Sequence, residues 1–240
     1  EIEAAVCRTV VGQREAVRGA LICLIAGGHA LLEGVPGLGK TTLARALSSA
    51  LELEPKRIQF TPDLMPADIT GTTVLIQGAE TDETRLQFEP GPIFANVVIA
   101  DEINRAAPRT QSALLEAMQE HTVTTSNTTR DLPRPFFVLA TQNPVEMYGT
   151  YPLPEAQLDR FFLKLRFEFP PVAELNQMVG LTTTAEHDAA REAAAPVADA
   201  TAVLRMNALV RSVPAAAHVI DYASRLVVSL HPETEGSTDQ

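Results

Sequence analysis

The stretch "GVPGLGKT", Gly34 to Thr41, decides how the rest of the chain is read. It has the form G-x-x-x-x-G-K-[ST]. An apolar run, "HALLEG" (29–34), precedes it, and "KTTLARALSSAL" (40–51) follows, with Leu43, Leu47 and Leu51 on one helical face. A strand, a glycine-rich turn and a helix are expected in that order. Gly34, Gly37 and Gly39 let the backbone turn so that its N–H groups face inward on phosphate oxygens. Lys40 reaches the β and γ phosphates as a point charge, and the Thr41 hydroxyl is a ligand for Mg²⁺. The helix N-terminus adds its own partial positive charge. The expected phosphate-binding set is Gly34, Pro36, Gly37, Leu38, Gly39, Lys40, Thr41 and Thr42.

Working outward, "VVIADEINRA" (97–106) ends an apolar run on two adjacent acids. A nucleotide–Mg²⁺ site needs a carboxylate at the end of a neighbouring strand, and Asp101 fits that need. Glu102, one residue on, can leave the strand axis and act as general base on an attacking water. The structural alternative is a helix N-cap followed by a first-turn acid. "ATQNP" (140–144) ends the next strand; Asn143 is placed to orient the water or touch the γ-phosphate, although Asn-Pro is also an ordinary turn. "LPEAQLDRFF" (153–162) carries Arg160, which reads as a surface charge, a salt-bridge partner, or an arginine finger reaching a neighbouring subunit's γ-phosphate. Arg105 and Arg109 could face a neighbouring subunit or pair with a local carboxylate.

The wider pattern is that of an α/β domain with an open parallel sheet. Candidate strands are 29–34, 57–60, 96–100, 136–140 and 162–167, and helices fit between them. "PRTQSALLEAMQEH" (108–121) opens with Pro at a first turn and aligns Leu114, Leu115 and Met118. Two segments, 70–92 and 121–136, read as inserted β-hairpins, the second with Ser126-Asn127 near its tip. Beyond Pro170-Pro171 the strands stop and Ala-rich helical patterns follow, with Asp199 as an N-cap and Pro214 as a break. The domains are therefore drawn as a core at 1–170 and a helical region at 171–240.

Composition bounds the function. A hydrophobic fraction of 45% and a charged fraction of 20% are those of a globular protein. The net charge of −11 gives no blanket attraction to nucleic acid or to anionic membrane. Cys7 and Cys23 make neither a disulfide framework nor a metal site, and Cys23 reads as a small buried apolar side chain. The longest apolar run, 20–26, is far short of the ~18 residues that read as a membrane helix. With no charged-then-apolar leader at its start, the chain is expected to be cytoplasmic and not inserted in a membrane.

Taken together, "VVGQREAV", "GGHALLEGVPGLGKTTLARAL", "RIQFTPDLMPADITG", "GPIFANVVIADEINRAAPRTQSALLEAMQE" and "ATQNPVEMYGTYPLPEAQLDRFF" resemble the MoxR family of AAA+ ATPases over residues 10–162. The resemblance implies a P-loop NTPase AAA+ core whose five-stranded parallel sheet has the order 5-1-4-3-2, followed by a C-terminal α-helical lid. It makes Lys40 and Thr41 the Walker A pair, Asp101 and Glu102 the Walker B pair, Asn143 sensor 1 and Arg160 the arginine finger. It makes 70–92 the helix-2 insert and 121–136 the pre-sensor-1 hairpin, and sets Val11 and Gly12 against the adenine. The family's lid motif carries a sensor 2 arginine. None of Arg205, Arg211 and Arg225 sits in such a context, and the lid is read as incomplete.

The expected function is that of an Mg²⁺-dependent ATPase with ATP as its nucleotide. The resemblance implies a ring, read as a hexamer, acting as a chaperone on protein clients together with a protein carrying a von Willebrand factor A domain. Other readings are a nucleic-acid motor, a chelatase-type motor subunit, and a nucleotide-gated binding module with low turnover. A nucleic-acid motor needs basic inserts. The first insert sets Arg85 against Glu80, Asp82, Glu83 and Glu89, and the second sets Arg130 and Arg134 against Asp131.

Overall fold

The computed structural model describes residues 1–35, 37–77, 84–125, 127–143, 149–183 and 195–230. Pro36, expected in the phosphate-binding set, lies outside the described residues, as do hairpin-tip residues 78–83 and Ser126. The chain falls into two compact units, Glu1–Asn207 and Ala208–Gln240.

The chain opens with α1 (Ile2–Cys7), α2 (Arg14–Ala26), β1 (Ala30–Glu33), α3 (Lys40–Ala50) and β2 (Pro55–Gln59). Then come α4 (Pro66–Thr70), β3 (Gly71–Gln77), β4 (Thr84–Pro90) and β5 (Val97–Asp101). A 3₁₀ turn (Ile103–Arg105) leads into α5 (Pro108–Glu120), β6 (Thr122–Thr125), β7 (Thr128–Asp131) and β8 (Phe137–Gln142). After α6 (Glu155–Leu158) and β9 (Leu163–Arg166), the described elements are helical: α7 (Val172–Thr183), α8 (Ala200–Ser212) and α9 (Ala217–Ser229).

Five strands form one parallel sheet in the order β2-β5-β8-β1-β9. Numbered by their own sequence order and taken from the β9 edge, they run 5-1-4-3-2. Successive side chains of a strand go to opposite faces, so a sheet covered on both sides needs continuous apolar runs. Val97 and Ile99 accordingly join the cluster built on Leu43 and Leu47 of α3. Val98 and Ala100 join the cluster built on Leu114, Leu115 and Met118 of α5. Leu43 and Leu47 of α3 and Leu51 just after it are all fully buried, and so is Cys23, which is a free thiol.

Element ends shift by small amounts for identifiable reasons. The strand expected at 57–60 begins at Pro55, which β2 tolerates as the first residue of an edge strand. The helix expected to reach 121 stops at Glu120, because His121 takes a left-handed C-terminal conformation at φ 54° and ψ 23°. Asp199 accepts the Ala202 N–H at 2.7 Å, the expected N-cap of α8. The Asn207 side-chain amide donates to the Leu24 and Ile25 carbonyls at 2.8 and 2.7 Å, closing the last turn of α2.

The two expected hairpins are both present as antiparallel ladders, β3 with β4 and β6 with β7. They meet where the Arg130 guanidinium lies 3.8 Å over the Phe88 ring, which in turn meets Phe94 edge to face. Among the described residues no helix is long and apolar enough to cross a membrane.

His29, just before β1, is buried between two main-chain groups. Its Nδ1 accepts the Val138 N–H at 3.1 Å, so Nε2 carries the proton and donates to the Met118 carbonyl at 3.1 Å. Burial pulls its pKa down to about 4, with the Met118 contact opposing the shift and His121 adding to it. Because the folded value is depressed, the unfolded chain binds the extra proton first as pH falls below the ordinary imidazole value of 6.5. Stability is therefore complete above that value and is lost toward pH 4, by a total on the order of 3 kcal/mol. Urea midpoints between pH 7 and pH 4.5 should fall less steeply in His29→Gln than in the parent. Equal slopes would remove His29 as the cause.

Candidate nucleotide site

The loop from Gly34 to Gly39 joins β1 to α3, as the sequence order requires. Gly37 and Gly39 have φ values of +84° and +87°, in the region that side chains rarely adopt. A Cβ on Gly37 would meet nothing within 4 Å, so conformation and not crowding makes glycine the fit there. Leu38 between them is buried and anchors the loop in the core. Gly39 is the N-cap of α3 with no side-chain cap, so the first N–H groups of that helix are left for another acceptor. Lys40 Nζ donates to the Gly34 carbonyl at 2.7 Å, which draws the ammonium back over the loop. Burial lowers the Lys40 pKa, while Asp101 and Glu102 oppose that shift.

Gly37, Gly39 and Lys40 line a cavity of about 330 Å³, to which Thr41, Thr42, Asp101, Glu102 and Asn143 also contribute. Asp101 ends β5, is nearly buried, and has its Oδ2 3.5 Å from the Thr41 hydroxyl. Glu102 leaves the strand through a left-handed conformation, φ 57° and ψ 50°. For a glutamate that conformation costs about 1–2 kcal/mol. Thr141 offsets part of this cost from the next strand. Its hydroxyl accepts the Glu102 N–H at 2.9 Å and donates to Asp101 Oδ1 at 3.2 Å. The two acids are thus aimed separately by one threonine. The helix-cap alternative is not what forms: Glu102 makes no side-chain cap to the 3₁₀ turn that follows.

Three residues around the acids escaped the sequence reading: Arg57, Gln59 and Thr141. Arg57 Nε meets Asp101 Oδ2 at 2.6 Å, and its Nη2 donates to Gln59 Oε1 at 2.9 Å. Gln59 Nε2 donates to Glu102 Oε2 at 3.0 Å. The signal was a pair of polar residues two apart on "RIQF", hence on one face of the strand beside the acids. Its weight depends on the pairing of Gln59 with Asp101, which sequence spacing does not give.

The remaining candidates separate. Asn143 is buried at the end of β8 and faces the cavity. Arg105 Nη1 pairs with Glu102 Oε2 at 3.0 Å, the local partner being the one found, while Arg109 is exposed on the first turn of α5. Val11 and Gly12 lie apart from the phosphate cavity, on an open one of about 430 Å³ shared with Gln177 of α7. Gly12 has φ +76°, and a Cβ there would strike the Glu174 carboxylate. Arg160 is exposed after α6 and does not line the phosphate cavity.

The donor set suits a hard divalent cation. Thr41 and Asp101 present two oxygens on one side of the cavity, and Asp101 already attracts a cationic side chain. Mg²⁺ typically takes one or two protein ligands and completes its shell with phosphate oxygens and water.

Comparison with known proteins identifies the family. The sequence model of the ATPase family associated with various cellular activities (AAA) matches residues 29–163. The uncharacterised Bacillus subtilis protein YeaC is 57% identical over 167 residues, which cover 70% of this chain and 51% of that protein. The chaperone MoxR1 of Mycobacterium tuberculosis is 48% identical over 172 residues, 72% of this chain and 45% of the relative. A solved structure of a suspected ATPase from Cytophaga hutchinsonii superposes with a TM-score of 0.84 at 38% identity, covering 95% of this chain and 67% of that one. The chain spans about half the length of the curated relatives it matches. A matched ATPase family, relatives named MoxR and a P-loop facing an acid pair agree: the chain belongs to the MoxR family of AAA+ ATPases.

Proposed function

We propose that this chain binds ATP with Mg²⁺ and hydrolyses it as one subunit of a ring, a hexamer, that remodels protein clients in the cytoplasm. The observation that carries the reading is the convergence of Lys40, Thr41, Asp101, Glu102 and Asn143 on one cavity. Lys40 and the first N–H groups of α3 neutralise the phosphates. Thr41 and Asp101 would hold Mg²⁺, which when bound neutralises charge developing on the phosphate oxygens. Glu102 takes the proton of the attacking water, and Asn143 orients that water. Val11 and Gly12 support the adenine, and α7, α8 and α9 belong to the family's lid.

The client side rests on family likeness: a chaperone name among the relatives supports protein clients, with a von Willebrand factor A domain protein as the expected co-factor of the machine. The inserts offer little to nucleic acid. Among the described residues the first insert carries Arg85 with Glu89, and in the second Arg130 lies over Phe88, leaving Arg134 close to Asp131 in sequence. The direct test is a calorimetric titration of ATP into the parent chain and into Lys40→Ala. The parent should bind, and the variant should lose at least about tenfold in affinity, the equivalent of one charge-assisted contact of 1.4 kcal/mol or more. Equal affinity would remove Lys40 from the site. Hydrolysis stimulated by DNA at physiological salt would move the reading to a nucleic-acid motor.

A further inference from the structure

Asp101 has two suitors. Its Oδ2 is the oxygen that lies toward the Thr41 hydroxyl, and it is the same oxygen that Arg57 Nε meets at 2.6 Å. We infer that Arg57 is the resident counter-ion of Asp101 and competes with Mg²⁺ for that oxygen, so that loading the metal requires the guanidinium to move aside. The inference rests on the nucleotide–metal reading of the cavity and adds to it a residue that sets how strongly the metal is taken.

The geometry favours competition over shared ligation. A carboxylate oxygen that accepts a short charge-assisted hydrogen bond has its lone pair and its charge engaged, and a second cation on it meets the first. Arg57 is also tied at its other end: Nη2 holds Gln59 Oε1, and Gln59 holds Glu102 Oε2. Two side chains on the edge strand, Arg57 and Gln59, therefore connect the metal carboxylate with the base carboxylate. The guanidinium has somewhere to go without a backbone change. Its side chain is 51% exposed, and it borders both the phosphate cavity and a neighbouring one of about 490 Å³ between α1 and α3. That second cavity carries Arg8 and Arg45, whose like charge opposes the move and strengthens the hold on Asp101. Arg57 is thus a positioning residue, acting through Asp101.

Linkage makes this measurable without turnover. The quantity to read is the ratio of ADP affinities obtained by calorimetry with excess Mg²⁺ and with EDTA. In Arg57→Ala that ratio should rise by roughly fivefold to tenfold, a charge-assisted pair discounted for its exposure. Arg57→Lys, which keeps the charge and loses the fork, should fall between. Mg²⁺ alone, added to the nucleotide-free chain, should raise the melting midpoint more in Arg57→Ala than in the parent. An unchanged ratio overturns the proposal. So does an equal loss of affinity in both arms, which would make Arg57 a phosphate ligand. A parent chain that binds ADP in neither arm brings down the nucleotide reading itself, a result distinct from either. Should Arg57→Ala fold poorly, Arg57→Gln at the same half-exposed position gives the same comparison.

Discussion

Glu102→Gln is expected to bind ATP as the parent does and to hydrolyse it roughly 10²–10⁴-fold more slowly, the range for removing a positioned general base. The environment of Glu102 says why the change should be confined to chemistry. Its left-handed backbone is held by Thr141 through the main-chain N–H, which the substitution leaves in place. The amide of a glutamine can still accept from Gln59 at the remaining oxygen. What it loses is the charge facing Arg105, a pair in which both side chains are partly exposed and which contributes little to stability. Binding and turnover should therefore separate. The measurement is ATP affinity by calorimetry beside phosphate release under saturating ATP. Near-parental release would remove Glu102 as the base; loss of binding would mean that the carboxylate serves the fold or the phosphates instead. A variant that holds ATP unhydrolysed is also the reagent with which to capture a client.

How far the site could be read from sequence follows from how local each part is. The phosphate loop needs only contiguous residues, so its glycines, Lys40 and Thr41 were legible, and so were the buried faces of α3 and α5. The acid pair was legible because a fully apolar strand rarely ends on two carboxylates without a use for them. Arg57, Gln59 and Thr141 were not, because each acts across a strand boundary: β2 on β5 and β8 on β5, in registers set by the whole sheet. Arg105 was left between two partners for a related reason. Only the left-handed turn at Glu102, followed by the 3₁₀ turn, brings residues 102 and 105 face to face. The His29 bridge is the same lesson inside the core, where two distant main-chain groups dictate one tautomer. The helices α1 and α2 also went undrawn in sequence, since the dense apolar run at 20–26 does not by itself show a helical period.

Arg160→Ala is expected to reduce ATP turnover by roughly 10³–10⁵-fold, the range for an arginine that stabilises transferring phosphate, with little change in ATP affinity. The topology argues that such an arginine works on a neighbour and not on its own cavity. Leu163 pairs with Ala30, at the opening of β1, whereas the phosphate loop leaves the closing end of β1 after Glu33. Arg160 precedes Leu163 and so sits at the far end of a parallel sheet from the acids. Arg160 is exposed there, and on the proposed reading the phosphate it meets belongs to another copy. On the proposed reading the donating and receiving surfaces differ, so each such contact would be heterologous, and repetition with closure would give the proposed ring. The two halves of such an interface can be broken on separate chains. Arg160→Ala subunits keep an intact Lys40, and Lys40→Ala subunits keep an intact Arg160. Neither population should turn over alone. Mixed in equal amounts and allowed to exchange, roughly a quarter of interfaces should unite an intact loop with an intact finger, and activity should return toward that fraction of the parent's. Light scattering has to show that both variants assemble. If they do and mixing restores nothing, the finger does not act between subunits, and the exposed arginine must be assigned to the surface.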